Sequence, residues 1–237
     1  MKVALLAGGW GTRISEETQH KPKPMVEIGG RPLLWHIMMH YHAYGFSDFS
    51  IALGYKGDAI KRWLVEMAQL EGNLNVTTRN GRVLSLDDDL PDWSVDLIET
   101  GLYTNTGGRI KRLAQNIGRE RFMLTWGDGV SNVDLHELLA FHKSHGKLAT
   151  MTAVRPPARF GHLELSGNHV TQFSEKPQAA EGWINGAFFV LEPEVFDYIA
   201  GDDIQFEKEP LEQLAHDGQL MAYFHEGFWQ CMDTLRD

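Results

Sequence analysis

Leu5 to Arg13 reads LLAGGWGTR, three glycines in four positions around a tryptophan, followed by a hydroxyl and a guanidinium. That much bare backbone beside Thr12 and Arg13 suits anion capture, because successive glycine amides can converge on an oxyanion while arginine adds a forked cation. Spacing excludes two common nucleotide motifs. A dinucleotide fingerprint counted from Gly9 runs through Gly11 to Ile14, where close helix packing wants a very small residue. A P-loop counted from Gly8 reaches Arg13, and no Gly-Lys-Ser or Gly-Lys-Thr follows. Taken alone, a plain glycine turn with a solvated arginine accounts for the stretch equally well. KPKPMVEIGGRP at Lys21 to Pro32 favours phosphate binding, since it carries Lys21 and Lys23 on a proline-stiffened segment with little entropy left to lose.

Other polar residues offer chemistry at wider spacing: Asp128 in WGDG, Lys176 in EKP, Asp233 in MDT and Arg109 beside Gly107-Gly108. Singly, each has a plainer reading as a cap, turn or helix-surface residue. His36 and His40 lie one helical turn apart, but no HExxH pattern or cysteine cluster accompanies them, so helix surface or packing is the reading. The Asn75-Val76-Thr77 sequon and the Asp87 to Asp89 run read as solvated surface, and Phe188, Phe189, Phe228 and Trp229 as core first, with Trp229 a second choice for a sugar wall.

Positioning these groups needs a frame, and the apolar pattern supplies one. Lys2 to Leu6 reads as a buried strand, followed by a helix in PLLWHIMMHYHAYG with Leu34, Ile37, Met38 and Tyr41 on one face, Pro32 in its first turn and Gly45 at its end. Phe49 to Leu53 is a second strand, and DAIKRWLVEMAQL a second helix through Ile60, Leu64 and Met67. This alternation predicts a parallel sheet covered by helices. NVTT, the Asn80-Gly81 turn, Val83-Leu84 and WSVDLIET read together as a hairpin or surface excursion. A helix in GGRIKRLAQNIG, a strand at Arg121 to Thr125 and a helix in DLHELLAFHKSHG come next. Strands near Leu148 to Val154, Gly161 to Leu165, Val170 to Glu175 and Ile184 to Leu191, with a Gly167-Asn168 turn, suggest an antiparallel or mixed extension.

Composition bounds the rest. The 237 residues are ample for one large core, and one domain over 1–237 is expected. A net charge of -10 argues against nucleic acid or an anionic membrane as partner, so phosphate binding must be local. Cys231 is the single cysteine, which excludes an intrachain disulfide. No cleavable signal pattern or membrane-length apolar run is present, and a cytoplasmic protein is the expectation.

AGGWGTR followed by KPKPM resembles the N-terminal motif of the sugar-phosphate nucleotidyltransferases, a G-x-G-T-R loop followed by a Pro-Lys element. WGDG at Trp126 to Gly129, and EKP at Glu175 to Pro177 with NGAFF at Asn185 to Phe189, extend the resemblance. GYKG at Gly54 to Gly57, ETGLYTNTGGRIKR, and GFWQCMDTLRD at Gly227 to Asp237 are similar to the glucose-1-phosphate cytidylyltransferases within that superfamily. Each match is weak alone and specific in this order, and together they span nearly the whole chain.

The resemblance implies a single-domain, Rossmann-like α/β fold, a mixed, mostly parallel sheet flanked by helices with a small β excursion. It implies attack of glucose 1-phosphate on CTP with Mg²⁺ as cofactor, in a homo-oligomer. UTP, dTTP or GTP as the nucleotide is the alternative, and a nucleotide-sugar sensor without turnover a more distant one. Leu6, Ala7, Gly8, Gly9, Gly11 and Thr12 would hold the triphosphate, with Arg13 neutralising the departing pyrophosphate and Lys23 bridging the reacting phosphates. Thr104, Arg109, Gly127 and Asp128 would complete the nucleotide site, and Asp128 and Asp233 would hold the metal. Gly161, Glu175, Lys176 and Asn185 would take the sugar phosphate. Two departures stand out: Trp10 is bulkier than the residue expected between those glycines, and related chains continue past Asp237.

Overall fold

The computed structural model describes residues 1–11, 21–86, 90–156, 162–166, 169–174, 182–234 and 236–237. Along β1 (Lys2–Leu6), Val3 and Leu5 face one way, Ala4 and Leu6 the other, and all four are buried. A strand apolar on both faces belongs at the centre of a sheet covered on both sides. β4 (Asp48–Leu53) and β8 (Phe122–Trp126) flank it, both parallel. With β7 (Ser94–Glu99), β10 (Ala149–Val154), β13 (Ile184–Leu191) and β14 (Leu220–His225) they form a seven-stranded sheet in the order β14-β10-β13-β8-β1-β4-β7. β13 runs antiparallel to both neighbours and every other pair is parallel, so the sheet is mixed and mostly parallel, as expected.

Two apolar layers sandwich this sheet. Val3, Leu5, Phe49, Ile51 and Phe188 pack with α1 (Leu33–Ala43), α2 (Gly57–Leu70) and α4 (Leu135–His145), through Ile37, Tyr41, Ile60, Leu64 and Leu138 among others. Ala4, Leu6, Phe122, Leu124 and Phe189 face α3 (Thr106–Ile117) and α5 (Glu209–His216), through Ile110, Leu113, Ile117, Leu211 and Leu214. Each large side chain so buried contributes roughly 1.5–3 kcal/mol, and a one-residue slip of a strand would exchange the two faces, so register is firmly set. Helix ends follow local chemistry: the Asp134 side chain accepts from the Glu137 amide at 2.9 Å to start α4, and Gly146 ends it at φ +65°. A two-residue hairpin, β2 (Glu27–Ile28) with β3 (Arg31–Pro32), leads into α1, so Pro32 lies just before α1 rather than within its first turn.

The connections create the crevice. α1 and α2 carry the chain outward from β1 to β4 to β7 along the first face. α3 then crosses the second face and delivers β8 to the opposite side of β1. The strand order therefore reverses at β1, and open α/β sheets bind ligands at the carboxyl ends of strands beside such a reversal.

Several elements differ from the sequence reading. WSVDLIET is not part of a surface excursion: it contains β7, whose Val95 and Leu97 pack on the first core while its other face carries polar Ser94 and Asp96 and sets Ile98 against the second core. The excursion is only the hairpin of β5 (Leu74–Thr77) and β6 (Arg82–Ser85), and Asp87 to Asp89 lie outside the described residues. α5, a helix of 8 residues, and β14, a half-buried edge strand, have no counterpart in the sequence reading. The expected later hairpin is β11 (His162–Ser166) with β12 (His169–Ser174), its Gly167-Asn168 turn lying outside the described residues. Among the described residues no helix is long and apolar enough to cross a membrane.

Candidate active site

Beyond β1 the glycine loop is stitched to its neighbours by backbone hydrogen bonds. The Ala7 amide donates to Ala52 O at 3.0 Å, Gly8 O accepts from Tyr55 at 3.2 Å, and the Gly127 amide donates to Leu6 O at 2.9 Å. The glycines serve different needs. A Cβ on Gly8 would lie 2.2 Å from Arg109 Nη1, one on Gly54 2.4 Å from the same atom, and one on Gly127 2.9 Å from Leu6 O, so close packing forbids a side chain at all three. Gly9 has nothing within 4 Å, and Gly11 sits at φ +62°, a conformation that bends backbone amides toward a common point.

Lys23 is fixed next. It opens a 3-10 turn, Lys23–Met25, between Pro22 and Pro24, and only 9 % of it is exposed. Its Nζ donates to Asp128 Oδ2 at 2.9 Å and Asp233 Oδ1 at 2.7 Å. Asp128 occupies the turn after β8. β9 (Gly129–Ser131) pairs antiparallel with β15 (Trp229–Cys231), Gly129 opposite Cys231, and the Met232 amide donates to Asp128 O at 2.8 Å. That register brings Asp233 beside Asp128. Burial alone would pull the Lys23 pKa down, but Asp128 and Asp233 outweigh it and hold the ammonium's pKa above its ordinary value.

Asp128, Asp233 and Cys231 each place a ligand atom within 4.8 Å of the others. Two carboxylates are the oxygen donors a hard divalent cation prefers. The Cys231 thiol is pushed up to about 12, chiefly by burial and then by Asp128, and its soft sulfur is a poor match for such an ion. The glycine loop, Lys23, Asp128 and Asp233 share one open cavity of about 320 Å³, which the segment from Leu102 to Thr106 also lines. This arrangement can grip a polyphosphate by backbone amides at one end and neutralise it by ammonium or metal at the other.

Known proteins decide the family. The nucleotidyl transferase family model matches residues 2–234. The chain belongs to the nucleotidyl transferase family. This nucleotidyl transferase is 48 % identical over 238 residues to "Glucose-1-phosphate cytidylyltransferase" of Salmonella typhi, covering 100 % of its own length and 93 % of the relative. It is 43 % identical, with the same coverage, to "Probable glucose-1-phosphate cytidylyltransferase" of Bacillus subtilis strain 168. Its fold matches the crystal structure of HddC from Yersinia pseudotuberculosis with a TM-score of 0.73 at 24 % identity, covering 99 % of this chain and 95 % of the other. Nucleotidyl transferases generally use a divalent metal, and the Asp128–Asp233 pair fits one by donor chemistry and proximity.

In this nucleotidyl transferase, Leu6, Ala7, Gly8, Gly9, Gly11, Lys23, Thr104, Arg109, Gly127, Asp128 and Asp233 all line the one cavity. Arg109 lines it while held against backbone. Its Nη1 donates to Leu53 O at 3.1 Å, Thr100 Oγ1 at 2.8 Å and Gly101 O at 2.8 Å, bracing the backbone beneath Gly8. No carboxylate among the described residues lies within ion-pair distance of it, and burial, then Arg112, lowers its pKa. It therefore lends the loop a buried positive charge. Gly107 and Gly108 likewise answer to packing: Cβ atoms there would fall 2.8 Å from Ile204 O and 2.5 Å from Asp202 Cα.

Asn185 is not a lining residue of this cavity. Its Oδ1 accepts from the Ala187 amide at 2.8 Å and supports Ala187 at φ +61°, while Trp229 Nε1 donates to Gly186 O at 2.8 Å. Thr12, Arg13, Gly161, Glu175 and Lys176 lie outside the described residues. His36 Nε2 meets Ile28 O at 2.9 Å, Phe188 and Phe189 are core, and Phe228, expected in the core, is 56 % exposed. Sequence reasoning did not assign Trp10, Leu102, Tyr103, Asn105, Thr106 or Trp126 to the cavity they line; Trp10 alone carried a signal, as an indole among glycines.

Proposed function

We propose that this enzyme transfers a cytidylyl group from CTP to α-D-glucose 1-phosphate, giving CDP-glucose and pyrophosphate, with Mg²⁺ as its divalent ion. The 48 % identity across the whole chain to a glucose-1-phosphate cytidylyltransferase carries the choice of substrates. Lys23 between two carboxylates beside a glycine loop supports the reaction class. A phosphate oxygen of the sugar phosphate attacks the α-phosphorus of CTP; the bond from that phosphorus to the bridging oxygen breaks, and its electron pair leaves with pyrophosphate. The nucleophile is already an anion, so no side chain must take a proton. The barrier lies in bringing two anions into line, and positioning can supply roughly 7–11 kcal/mol of it.

Lys23 exchanges its carboxylate contacts for the reacting phosphates, leaving Asp128 and Asp233 to hold the metal. Bound there, Mg²⁺ supplies charge neutralisation at phosphate oxygens. Thr12 and the loop amides hold the triphosphate, Arg13 meets the departing pyrophosphate, and Lys176 anchors the sugar phosphate. Glu175, Asn185 and the backbone around Gly161 face glucose hydroxyls. Cytosine presents an N4 donor and an N3 acceptor where uracil presents the reverse, so a mismatched base leaves groups unpaired at about 1–3 kcal/mol each. The net charge of -10 supports an enzyme that binds neither nucleic acid nor membrane, and we place it in the cytoplasm as a homo-oligomer. The test is incubation with CTP, glucose 1-phosphate and Mg²⁺, with products identified by mass. Equimolar CDP-glucose and pyrophosphate are expected; binding without turnover, or CMP alone, contradicts the reading.

A further inference from the structure

Neither backbone capture of phosphate nor a tight turn needs an indole among the glycines, yet Trp10 stands there. The ring lines the cavity and is 44 % exposed. It stacks on Tyr55, with centroids 5.0 Å apart and planes 26° from parallel, and Lys56 Nζ lies 5.0 Å from the Tyr55 centroid. From the Leu102–Thr106 segment Tyr103, 82 % exposed, comes within 6.1 Å of the indole at 39°. Three rings from three loops, after β1, after β4 and before α3, thus gather where Trp10 and Tyr103 line the cavity. Burial would be the default for such side chains, and an exposed aromatic cluster at a cavity rim marks a ligand surface.

We propose that Trp10, buttressed by Tyr55 and faced by Tyr103, is the platform on which the nucleobase of the bound nucleoside triphosphate stacks. This rests on the reading of the cavity as the nucleotide site. The reacting phosphates belong at Lys23, Asp128 and Asp233, so the base extends toward the Leu102–Thr106 wall, where these rings stand. A base needs cover for its faces and partners for its edge. Trp10 and Tyr103 cover a face, which every base possesses, and therefore set affinity for the nucleotide without selecting which base. Tyr55 fixes the indole, and exposed Tyr103 has room to adjust to the ligand.

The test compares Trp10→Ala, Trp10→Phe and Tyr103→Ala with the unaltered enzyme, by turnover at saturating sugar phosphate and by calorimetric CTP binding without it. Lost base stacking corresponds to about 5- to 150-fold in affinity. Trp10→Ala is expected to raise KM and Kd for CTP about tenfold with kcat within about twofold, to raise KM for UTP by the same factor, and to leave KM for glucose 1-phosphate unchanged. Phe restores most of the affinity, and Tyr103→Ala, at an exposed position independent of folding, weakens CTP about threefold. The inference is overturned if the unaltered enzyme works while Trp10→Ala and Tyr103→Ala keep its CTP affinity. A rise confined to glucose 1-phosphate, or a fall in kcat alone that Phe does not rescue, also overturns it. An unaltered protein that neither binds nor turns over a nucleoside triphosphate would instead remove the assignment of the cavity, and this inference with it.

Discussion

Replacing Lys23 by Met keeps much of the stem's bulk and removes one positive charge from between two carboxylates. The ammonium lies 2.9 Å from Asp128 and 2.7 Å from Asp233, and the three side chains are only 11 %, 31 % and 23 % exposed. Stripping a buried ion pair of one partner costs ~3–5 kcal/mol, and the partial exposure of Asp128 puts this case near ~3 kcal/mol. For a chain of this size each kcal/mol moves Tm by ~2–4 °C, so Lys23→Met should melt about 6–12 °C lower near neutral pH in EDTA. Mg²⁺ should raise the variant's Tm more than that of the unaltered protein, because it restores positive charge between the carboxylates. Turnover should fall about 10²–10³-fold, the scale of losing one preorganised charge from a phosphoryl-transfer site. Equal melting of both proteins in EDTA would refute the reasoning.

Three further outcomes follow. Stability should decline from about pH 9 upward, because the unfolded chain releases protons that the folded chain retains: Cys231 has an ordinary pKa of 9.0 pushed to about 12, and Lys23 is held above its ordinary 10.5. Both contributions are whole below those ordinary values, so denaturant melts should show a slope that is shallower in Lys23→Met above 10.5, and a flat alkaline profile would contradict it. Gly8→Ala, whose Cβ would meet Arg109 Nη1 at 2.2 Å, should lower stability by ~1–3 kcal/mol, whereas Gly9→Ala, with nothing within 4 Å, should melt like the unaltered protein; equal melting of the two variants would show that the guanidinium gives way. Asp128→Asn removes a carboxylate charge at nearly constant shape and should reduce Mg²⁺-dependent turnover by at least about 100-fold, full activity being the outcome that removes Asp128 from the metal site.

Strand-helix alternation was legible because both faces of β1 are apolar, one face of β4 carries Phe49, Ile51 and Leu53, and α1 and α2 keep a clean buried stripe. β7 was hidden because an edge strand mixes polar and apolar residues as a surface hairpin does. Lys23, Asp128 and Asp233 could be named from motifs, but their meeting could not be derived from spacing: Lys23 and Asp233 are 210 residues apart, and only the β9–β15 register joins them. Arg109 shows a different limit. A cation beside Gly107 and Gly108 reads as a ligand contact, yet those two glycines make room for Ile204 and Asp202, and it is Gly8 and Gly54, distant in sequence, that let the guanidinium pack against backbone. Trp10 was visible as an anomaly, while the rings that explain it come from loops whose approach only the folded sheet defines.

The central claim, cytidylyl transfer to glucose 1-phosphate, is tested most directly by letting CTP, UTP, dTTP and GTP compete in one reaction with glucose 1-phosphate and Mg²⁺ and resolving the nucleotide sugars by mass. Two mismatched groups at about 1–3 kcal/mol each correspond to at least a thirtyfold preference, so CDP-glucose should dominate the products. UDP-, dTDP- or GDP-glucose as the main product, or none of the four, would contradict the account.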